Sequence, residues 1–245
     1  MSNILERLKF KVVTAKKFYK SQKDEQILLE KKTNFISDTS RKKILAKAIE
    51  KKNDFLIFDD GLQDKNLNYD LEFVCFDGDS LIGNGQLIPS GPLREKLSSL
   101  KKYDVVFLKN NKNYDFVEKL KKVNSEIKIF NTFYEIKNLN EFNARTDYLI
   151  FSGIGNPKDF KKLILDNNLN IVEEIVYPDH FDYKSSDIEN IKKKAKKINA
   201  EIITTEKDFV KILEKDIDNI KFLEVKLKIE DEKKLINFIK SKTNV

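Results

Sequence analysis

The feature that most limits the fold of this chain is a short apolar run ending in two carboxylates, Phe55-Leu-Ile-Phe-Asp59-Asp60-Gly61-Leu-Gln63-Asp64. Four consecutive apolar residues before a turn signal are too few for a helix and predict a buried strand of a parallel sheet. Ligands of an open α/β sheet bind beyond the carboxyl ends of its strands. Asp59 and Asp60 would then lie at a binding edge, as Mg²⁺-holding aspartates do in nucleotide hydrolases and kinases. An ordinary turn is the alternative, because Asp and Gly also favour turns.

Apolar runs typical of strands alternate with amphipathic segments along the chain, which predicts an α/β fold with doubly wound parallel sheets in two lobes. We expect Pro92 to begin a helix, since proline is favoured at the first helical position. The other predicted strands are Phe10–Ala15, Leu71–Phe76, Asp104–Leu108, Ile127–Ile136, Tyr148–Phe151, Asn170–Val176, Glu201–Thr204 and Lys221–Ile229. The other predicted helices are Thr39–Lys51, Asp115–Lys122, Pro157–Leu165, Ser186–Ile198, Glu206–Leu213 and Glu230–Lys242.

Composition narrows the function classes. The 245 residues are 40% hydrophobic, which supports a genuine core, and they contain no apolar run of the roughly 18 residues that a membrane-spanning helix needs. Met1–Phe10 lacks the apolar segment of a signal peptide, and a single cysteine, Cys75, favours a reducing cytoplasm. The net charge is +7, but only four of the 47 basic residues are arginine and the lysines lie near acidic residues. We therefore expect no nucleic-acid partner, whereas an anionic membrane surface remains compatible.

The segment Gly78–Pro92 holds four of the seven glycines, Gly78, Gly83, Gly85 and Gly91. Long loops rich in Gly and Pro inside a compact domain are more often functional than idle. Arg94 and Glu95 follow directly. The planar guanidinium of Arg94 suits a phosphate contact, although pairing with Glu95 or Asp77 is the alternative.

Four stretches resemble motifs of the tetraacyldisaccharide 4'-kinases, the lipid A kinase family. Asp59-Asp60-Gly-Leu-Gln63 is similar to the family's Asp-Asp-Gly-Phe-Gln signature. The loop from Gly83 to Glu95, Gly-Asn-Gly-Gln-Leu-Ile-Pro-Ser-Gly-Pro-Leu-Arg-Glu, matches the family's long Gly/Pro loop almost letter for letter. Gly153-Ile-Gly-Asn-Pro157 and Thr204-Thr-Glu-Lys-Asp208 resemble two further motifs.

The resemblance implies a P-loop-kinase-like α/β fold, with a doubly wound parallel sheet and a second, smaller α/β lobe joined by a two-stranded linker. In this numbering the lobes are residues 1–126 and 138–220, the linker strands are 127–137 and 221–229, and a terminal helix covers 230–245. The implied reaction moves the γ-phosphate of ATP, with Mg²⁺, to the 4'-hydroxyl of a lipid A disaccharide 1-phosphate. The implied location is the cytoplasmic face of the bacterial inner membrane, with peripheral attachment.

The resemblance also implies roles for individual residues. Asp24 matches an aspartate thought to accept the sugar hydroxyl proton, and His180, the only histidine, matches a histidine that pairs with it. Asp59 and Asp60 would hold the metal, and Gln63 would serve the nucleotide. The predicted substrate-binding residues are Glu25, Asn84, Ser90 and Arg94. Without the resemblance, Asp24-Glu25 fits a solvated helix start, and a lone histidine in a Pro-containing loop fits a surface residue. We expect Asp24, Asp59, Asp60 and Arg94 to line one cleft that His180 faces.

The chain departs from the family pattern in several places. Lys23, Asp64 and Phe181 replace the usual glycine and two histidines, and no Gly-x-x-x-x-Gly-Lys-Ser/Thr pattern occurs in the 245 residues. We therefore expect this polypeptide alone to bind ATP poorly and to have little kinase activity, since it lacks the phosphate cradle. A truncated or late-started reading frame is the expected cause, and a degenerate, non-catalytic descendant is the alternative. A basic module that binds polyanions or membranes is a rival from another class.

Overall fold

The computed structural model describes residues 1–18, 23–64, 66–110 and 113–243, with the backbone alone at residues 23 and 24. The helices are α1 (Ser2–Arg7), α2 (Lys23–Lys32), α3 (Arg41–Glu50), α4 (Tyr114–Val123), α5 (Pro157–Asp166), α6 (Ser185–Lys197), α7 (Glu206–Phe209) and α8 (Glu232–Thr243). The strands are β1 (Val12–Lys17), β2 (Phe35–Asp38), β3 (Phe55–Asp59), β4 (Phe73–Asp77), β5 (Val105–Lys109), β6 (Lys128–Ile136), β7 (Asp147–Ser152), β8 (Asn170–Val176), β9 (Glu201–Thr205), β10 (Ile220–Leu223) and β11 (Val225–Ile229).

The first sheet has the strand order β2-β1-β3, and both pairs are parallel. The central strand β1 is buried from Val12 to Lys16, while β3 is half-buried. Helix α3 covers the sheet with Ile44 and Ala48, which pack with Val13 and Ala15 of β1. Because both strands beside β1 run in its direction, their carboxyl ends share one edge, and that edge carries Asp59.

A second parallel sheet has the order β10-β9-β7-β8. Its central strand β7 is fully apolar from Tyr148 to Phe151, as expected of a strand covered by helices on both faces. One face packs against α5 through Phe160 and Ile164, and the other packs against α6 through Ile188 and Ile191. The sheet is thus doubly wound, as the sequence predicts.

The third sheet has the order β11-β6-β5-β4. Strands β4, β5 and β6 are parallel, and β11 runs antiparallel to β6, as the backbone bonds from Glu230 to Asn131 and from Lys137 to Glu224 require. Its core is built by Val106 and Leu108 of β5 with Leu120 of α4.

The chain forms two compact units. The first comprises Met1–Gly61 and Ile136–Lys226, and the second comprises Leu62–Glu135 and Leu227–Val245. This division differs from the predicted lobes, because residues 1–61 group with the second sheet, where α2 contacts α7. The strands of the predicted linker, β6 and β11, do pair with each other, and β6 also pairs with β5.

Several local predictions were wrong. No helix begins at Pro92, because Leu93 exchanges backbone hydrogen bonds with Gln86 and Ile88, and a 3₁₀ helix follows at Leu97–Lys102. The single closing strand is two strands, β10 and β11, which belong to different sheets. The helix predicted from Ser186 begins at Ser185, and the Asp187 carboxylate accepts a 2.9 Å hydrogen bond from the Lys184 backbone N–H at its start. Strand β2 was missed because it has only four residues.

Replacing Ile44 with alanine is expected to lower the free energy of unfolding by about 2–5 kcal/mol, because the side chain is fully buried under the first sheet. The matched control is Ile49→Ala in the same helix, where the side chain is 67% exposed; it should change stability by no more than about 0.5 kcal/mol. Urea unfolding followed by circular dichroism measures both. Equal effects of the two substitutions would contradict the packing described.

Candidate active site

The candidate site begins at the carboxyl end of β3. Asp59 lies opposite Lys16 in the parallel register of β1 and β3, and the Lys16 Nζ donates to Asp59 Oδ2 at 2.8 Å. Asp60 adopts the left-handed conformation with φ +55°, which aspartate tolerates better than most residues. Its carbonyl accepts a 2.6 Å hydrogen bond from the Arg41 guanidinium. The turn after β3 is therefore held by contacts with β1 and α3, and it places two carboxylates at the strand end.

Lys16 connects this strand end to α2. Its side chain is almost fully buried, and its ammonium also pairs with Glu25 Oε2. Burial lowers the pKa of Lys16, but the hydrogen bonds to Asp59 and Glu25 outweigh burial, so the pKa lies above its ordinary value of 10.5. Lys16 is accordingly a charged ammonium shared by two carboxylates from different elements.

A second lysine extends this series of charges. Lys207 Nζ lies 3.6 Å from Glu25 Oε1 and 3.6 Å from Asp179 Oδ1. Asp179 Oδ2 in turn lies 3.8 Å from His180 Nε2. Ammonium and carboxylate groups therefore alternate from Asp59 through Lys16, Glu25, Lys207 and Asp179 to His180. We name this series the ionic chain.

The motifs at 153–157 and 204–208 meet through Asp208, which is fully buried. Its Oδ2 accepts from the Gly153 backbone N–H at 3.0 Å and the Thr205 hydroxyl at 2.7 Å, while its Oδ1 lies 2.7 Å from Lys211 Nζ. Burial, and then the Asp208 carboxylate, raise the pKa of the Tyr183 hydroxyl. A Cβ on Gly153 would lie 3.1 Å from both Pro178 O and Tyr183 Oη, which is closer than an ordinary van der Waals contact.

Asp208 also fixes the loop that carries the histidine, indirectly. The Gly153 carbonyl accepts a 3.1 Å bond from the His180 backbone N–H, and His180 adopts the left-handed conformation with φ +58°. Asn156 caps α5 by accepting from the Asp159 N–H. These two motifs thus build the support of His180 and Lys207.

In the second unit, the Gly/Pro loop is braced by Asn84. Its amide donates to the Ser90 carbonyl at 2.8 Å, and its Oδ1 accepts from the Gln86 N–H at 3.1 Å. A Cβ on Gly91 would collide with Asn84 Oδ1 and the Gln86 carbonyl, so only glycine fits there. Asn84 and Ser90 are exposed, and the Asn84 side chain shapes the loop itself.

The two ends of this loop are also fixed. Asp77, at the end of β4, accepts from the backbone N–H groups of Asp79 and Ser80 and pairs with Lys109 of β5. Burial raises the pKa of Asp77, but the contacts with Lys109 and these N–H groups outweigh it and hold the pKa at about 2. Beyond the loop, Glu95 accepts from Tyr103 at 2.9 Å and from Gln63 at 3.4 Å.

The predicted site residues fall into two groups. Asp59, Asp60, Glu25 and His180 belong to the first unit, where the ionic chain connects Asp59, Glu25 and His180. Gln63, Asn84, Ser90 and Arg94 belong to the second unit, and Arg94 is exposed. The Asp24 side chain lies outside the described residues; its backbone is in the first turn of α2. The shared cleft stays a prediction.

Sequence reasoning missed four residues of the site: Lys16, Asp179, Lys207 and Asp208. Lys207 and Asp208 lie inside a recognised motif, but the sequence alone does not show which residues they contact. Lys16 had one usable signal, since a lysine follows four residues of an apolar, β-branched strand. Among the described side chains, no group of three or more His, Cys, Asp and Glu residues has an arrangement that could hold a metal ion.

The model of the family described as tetraacyldisaccharide-1-P 4'-kinase matches residues 6–244 of the chain. The chain belongs to this family. The tetraacyldisaccharide 4'-kinase of Pelagibacter ubique (strain HTCC1062) is 42% identical over 239 residues, which are 97% of this chain and 76% of that protein. Those of Rickettsia bellii and Rickettsia felis are 37% and 35% identical, each over 85% of this chain, and the matches cover 64% and 63% of their own lengths.

Among solved structures, the crystal structure of LpxK from Aquifex aeolicus in complex with ATP resembles the chain with a TM-score of 0.69. The sequences are 21% identical, and the match covers 99% of this chain and 81% of that one. This likeness and the parallel sheets confirm the predicted α/β fold. Membership of the tetraacyldisaccharide 4'-kinase family confirms the resemblance and the assignment to a kinase family of lipid A synthesis. The chain spans less than two thirds of the length of the two Rickettsia relatives.

The first site prediction concerns Asp208. Asp208→Asn should lower the free energy of unfolding by about 3–5 kcal/mol, because the Lys211 ammonium, only 9% exposed, loses its counterion. The control Glu189→Gln breaks an exposed pair with Lys193 and should cost less than about 1 kcal/mol. Chemical denaturation of the wild type and the two variants measures these changes in the free energy of unfolding. If Asp208→Asn costs no more than the control, the buried support of His180 is wrongly assigned.

The second site prediction concerns acid stability. Because the pKa of Asp77 is about 2 in the folded chain and ordinarily 3.8, its ionised form stabilises the fold above pH 4, and this contribution is lost as the pH falls through 2. Asp77→Asn should therefore be less stable than the wild type at pH 4, and this difference in the free energy of unfolding should shrink as the pH falls to 2. Asp70→Asn, at an exposed position, should leave that pH dependence unchanged. Unfolding curves across this range measure it.

Proposed function

We propose that the protein transfers the γ-phosphate of ATP to the 4'-hydroxyl of a lipid A disaccharide 1-phosphate. The observation that supports this most strongly is the ionic chain, because it connects the Asp59 carboxylate at a strand end with the one histidine of the chain. Phosphoryl transfer depends on positioned charges more than on covalent chemistry. A series of fixed charges at the binding edge of a parallel sheet suits that reaction.

Each predicted residue has a place in the proposed reaction. Asp24 would accept the proton of the sugar hydroxyl, and His180 would orient it and tune its basicity. Glu25 is held by two lysines and so would present a fixed acceptor beside Asp24. Arg94 would bind a phosphate of the lipid through its planar guanidinium, and Ser90 and Asn84 would lie along the loop that approaches the sugar.

The residues fit magnesium in the manner of nucleotide-dependent enzymes. Mg²⁺ commonly takes one or two protein carboxylates and completes its shell with phosphate oxygens and water. Asp59 and Asp60 supply those carboxylates, and Gln63, three residues further on, would contact the nucleotide. The bound ion would neutralise charge on the transferred phosphate. The ATP complex of the Aquifex relative supports ATP as the donor.

A peripheral site at the cytoplasmic face of the inner membrane follows from the proposed lipid substrate. No helix among the described residues is long and apolar enough to cross a bilayer. The rival function, a basic module that binds polyanions, is less well supported. Surface lysines pair locally with acidic residues, as in Lys161 with Glu174 and Lys194 with Glu173, so their charge is largely balanced.

The test is phosphorylation of tetraacyldisaccharide 1-phosphate from radiolabelled ATP. Because the 245 residues contain no P-loop pattern, we expect slow transfer. The decisive observation is therefore which components and which residues the transfer requires. It should require both Mg²⁺ and the lipid, and Asp59→Asn should reduce it by about 10²-fold or more, since a charge that contacts the transition state is lost. Asp166→Asn, exposed on α5, is the matched control.

Transfer that ignores Asp59→Asn would contradict the proposed role of this carboxylate. No lipid-dependent transfer, together with binding to any polyanion that weakens steeply with salt, would favour the rival module.

A further inference from the structure

Lys16 is the lysine that stands apart from the others. Among the described residues it is the one buried lysine, with 3% of its surface exposed. It lies on the central strand of the first sheet, between Ser37 of β2 and Asp59 of β3 in register. Buried charges persist only where partners compensate them. Here the partners are Asp59 of β3 and Glu25 of α2.

Helix α2 has little apolar anchorage. Of the side chains from Glu25 to Lys32, only Gln26 is buried, and Ile27, Leu28 and Leu29 are half-buried. Its ion pairs with other elements include Glu25 with Lys16, Glu25 with Lys207, and Lys32 with Glu206. Of these three ion pairs, the pair with Lys16 is the one whose lysine side chain is buried, with 4% of it exposed.

We propose that Lys16 is a positioning residue that ties α2 to the carboxyl end of β3. Its ammonium holds Glu25 and Asp59 at once, and so sets the spacing between the helix start that contains Asp24 and the strand end that contains Asp59. The roles of Asp24 and Asp59 in the reaction rest on the proposed function. The contact of Lys16 with both α2 and β3 is independent of that function.

The geometry explains why a cation is needed at this place. Asp59 Oδ2 and Glu25 Oε2 both contact the same Nζ atom, so the two carboxylates lie close together. Without the ammonium they would repel each other, and the less anchored element would move. Strand β3 is held by a ladder of backbone bonds to β1, whereas α2 is not part of a sheet. Loss of Lys16 should therefore release α2 rather than β3.

The experiment compares amide hydrogen exchange in Lys16→Met and the wild type. Methionine keeps the length of the side chain and removes its charge. We expect exchange in residues 25–32 to become at least tenfold faster, with β1 and β3 unchanged. Lys42→Met, on the exposed part of α3, should leave α2 unchanged, and Lys207→Met, which removes the more distant cation facing Glu25, should accelerate α2 less than Lys16→Met.

Equal acceleration in α2, β1 and β3 would overturn the proposal, because it would show general destabilisation. So would unchanged exchange in α2, or a Lys207→Met effect as large as that of Lys16→Met. Should Lys16→Met fail to fold, Glu25→Gln tests the same tie from the half-exposed partner. It must also accelerate exchange in α2, or the proposal fails.

A kinetic measurement separates this inference from the proposed function. Where lipid phosphorylation is measurable, Lys16→Met should lower kcat at least tenfold and change the KM for ATP less than twofold. Hydrogen exchange reports on the tie even if no lipid is phosphorylated. Accelerated α2 exchange in Lys16→Met, without lipid-dependent transfer by the wild type, would uphold the tie and refute the proposed function. Normal α2 exchange in Lys16→Met, with lipid-dependent transfer by the wild type, would refute the tie and uphold the proposed function.

Discussion

The candidate site depends on pairing between buried or half-buried charges at the ends of parallel strands. A lysine inside the first sheet is tolerable only because two carboxylates share its ammonium, and those carboxylates come from a strand and a helix that are distant in sequence. The same rule applies around Asp208, where one carboxylate serves a backbone amide, a hydroxyl and an ammonium. In both places a cluster of charges joins segments that are distant in sequence.

This arrangement gives the recognised motifs a physical meaning. Gly153 and Asp208 are far apart in the chain, yet one hydrogen bond joins them, and the next bond reaches the backbone of His180. The Gly/Pro loop is built on the same logic in the second unit, where Asn84 spans its own loop and Gly91 leaves space for it. In both motifs, side-chain groups satisfy backbone groups of nearby segments.

Much of the fold could be predicted because its strands are long apolar runs and its helices are amphipathic. The predicted strand Asn170–Val176 coincides with β8, and the predicted helix at Asp115–Lys122 lies within α4. Predictions failed where tertiary contacts overrode local preference. Pro92 permits a helix, but two backbone bonds across the loop hold Leu93 elsewhere. The ionic chain could not be predicted, since its pairs from Asp59 to Asp179 join elements whose proximity only the folded chain creates.

Strand β3 has the sequence of a strand in the middle of a sheet, yet in the order β2-β1-β3 of the described strands it comes last. Other strands can add to the edge strand of a sheet. Charged residues at its end are the usual protection against such addition. Neutral variants of Asp59 and Asp60 would lose this protection, so they must be compared as monodisperse samples before their activities are interpreted.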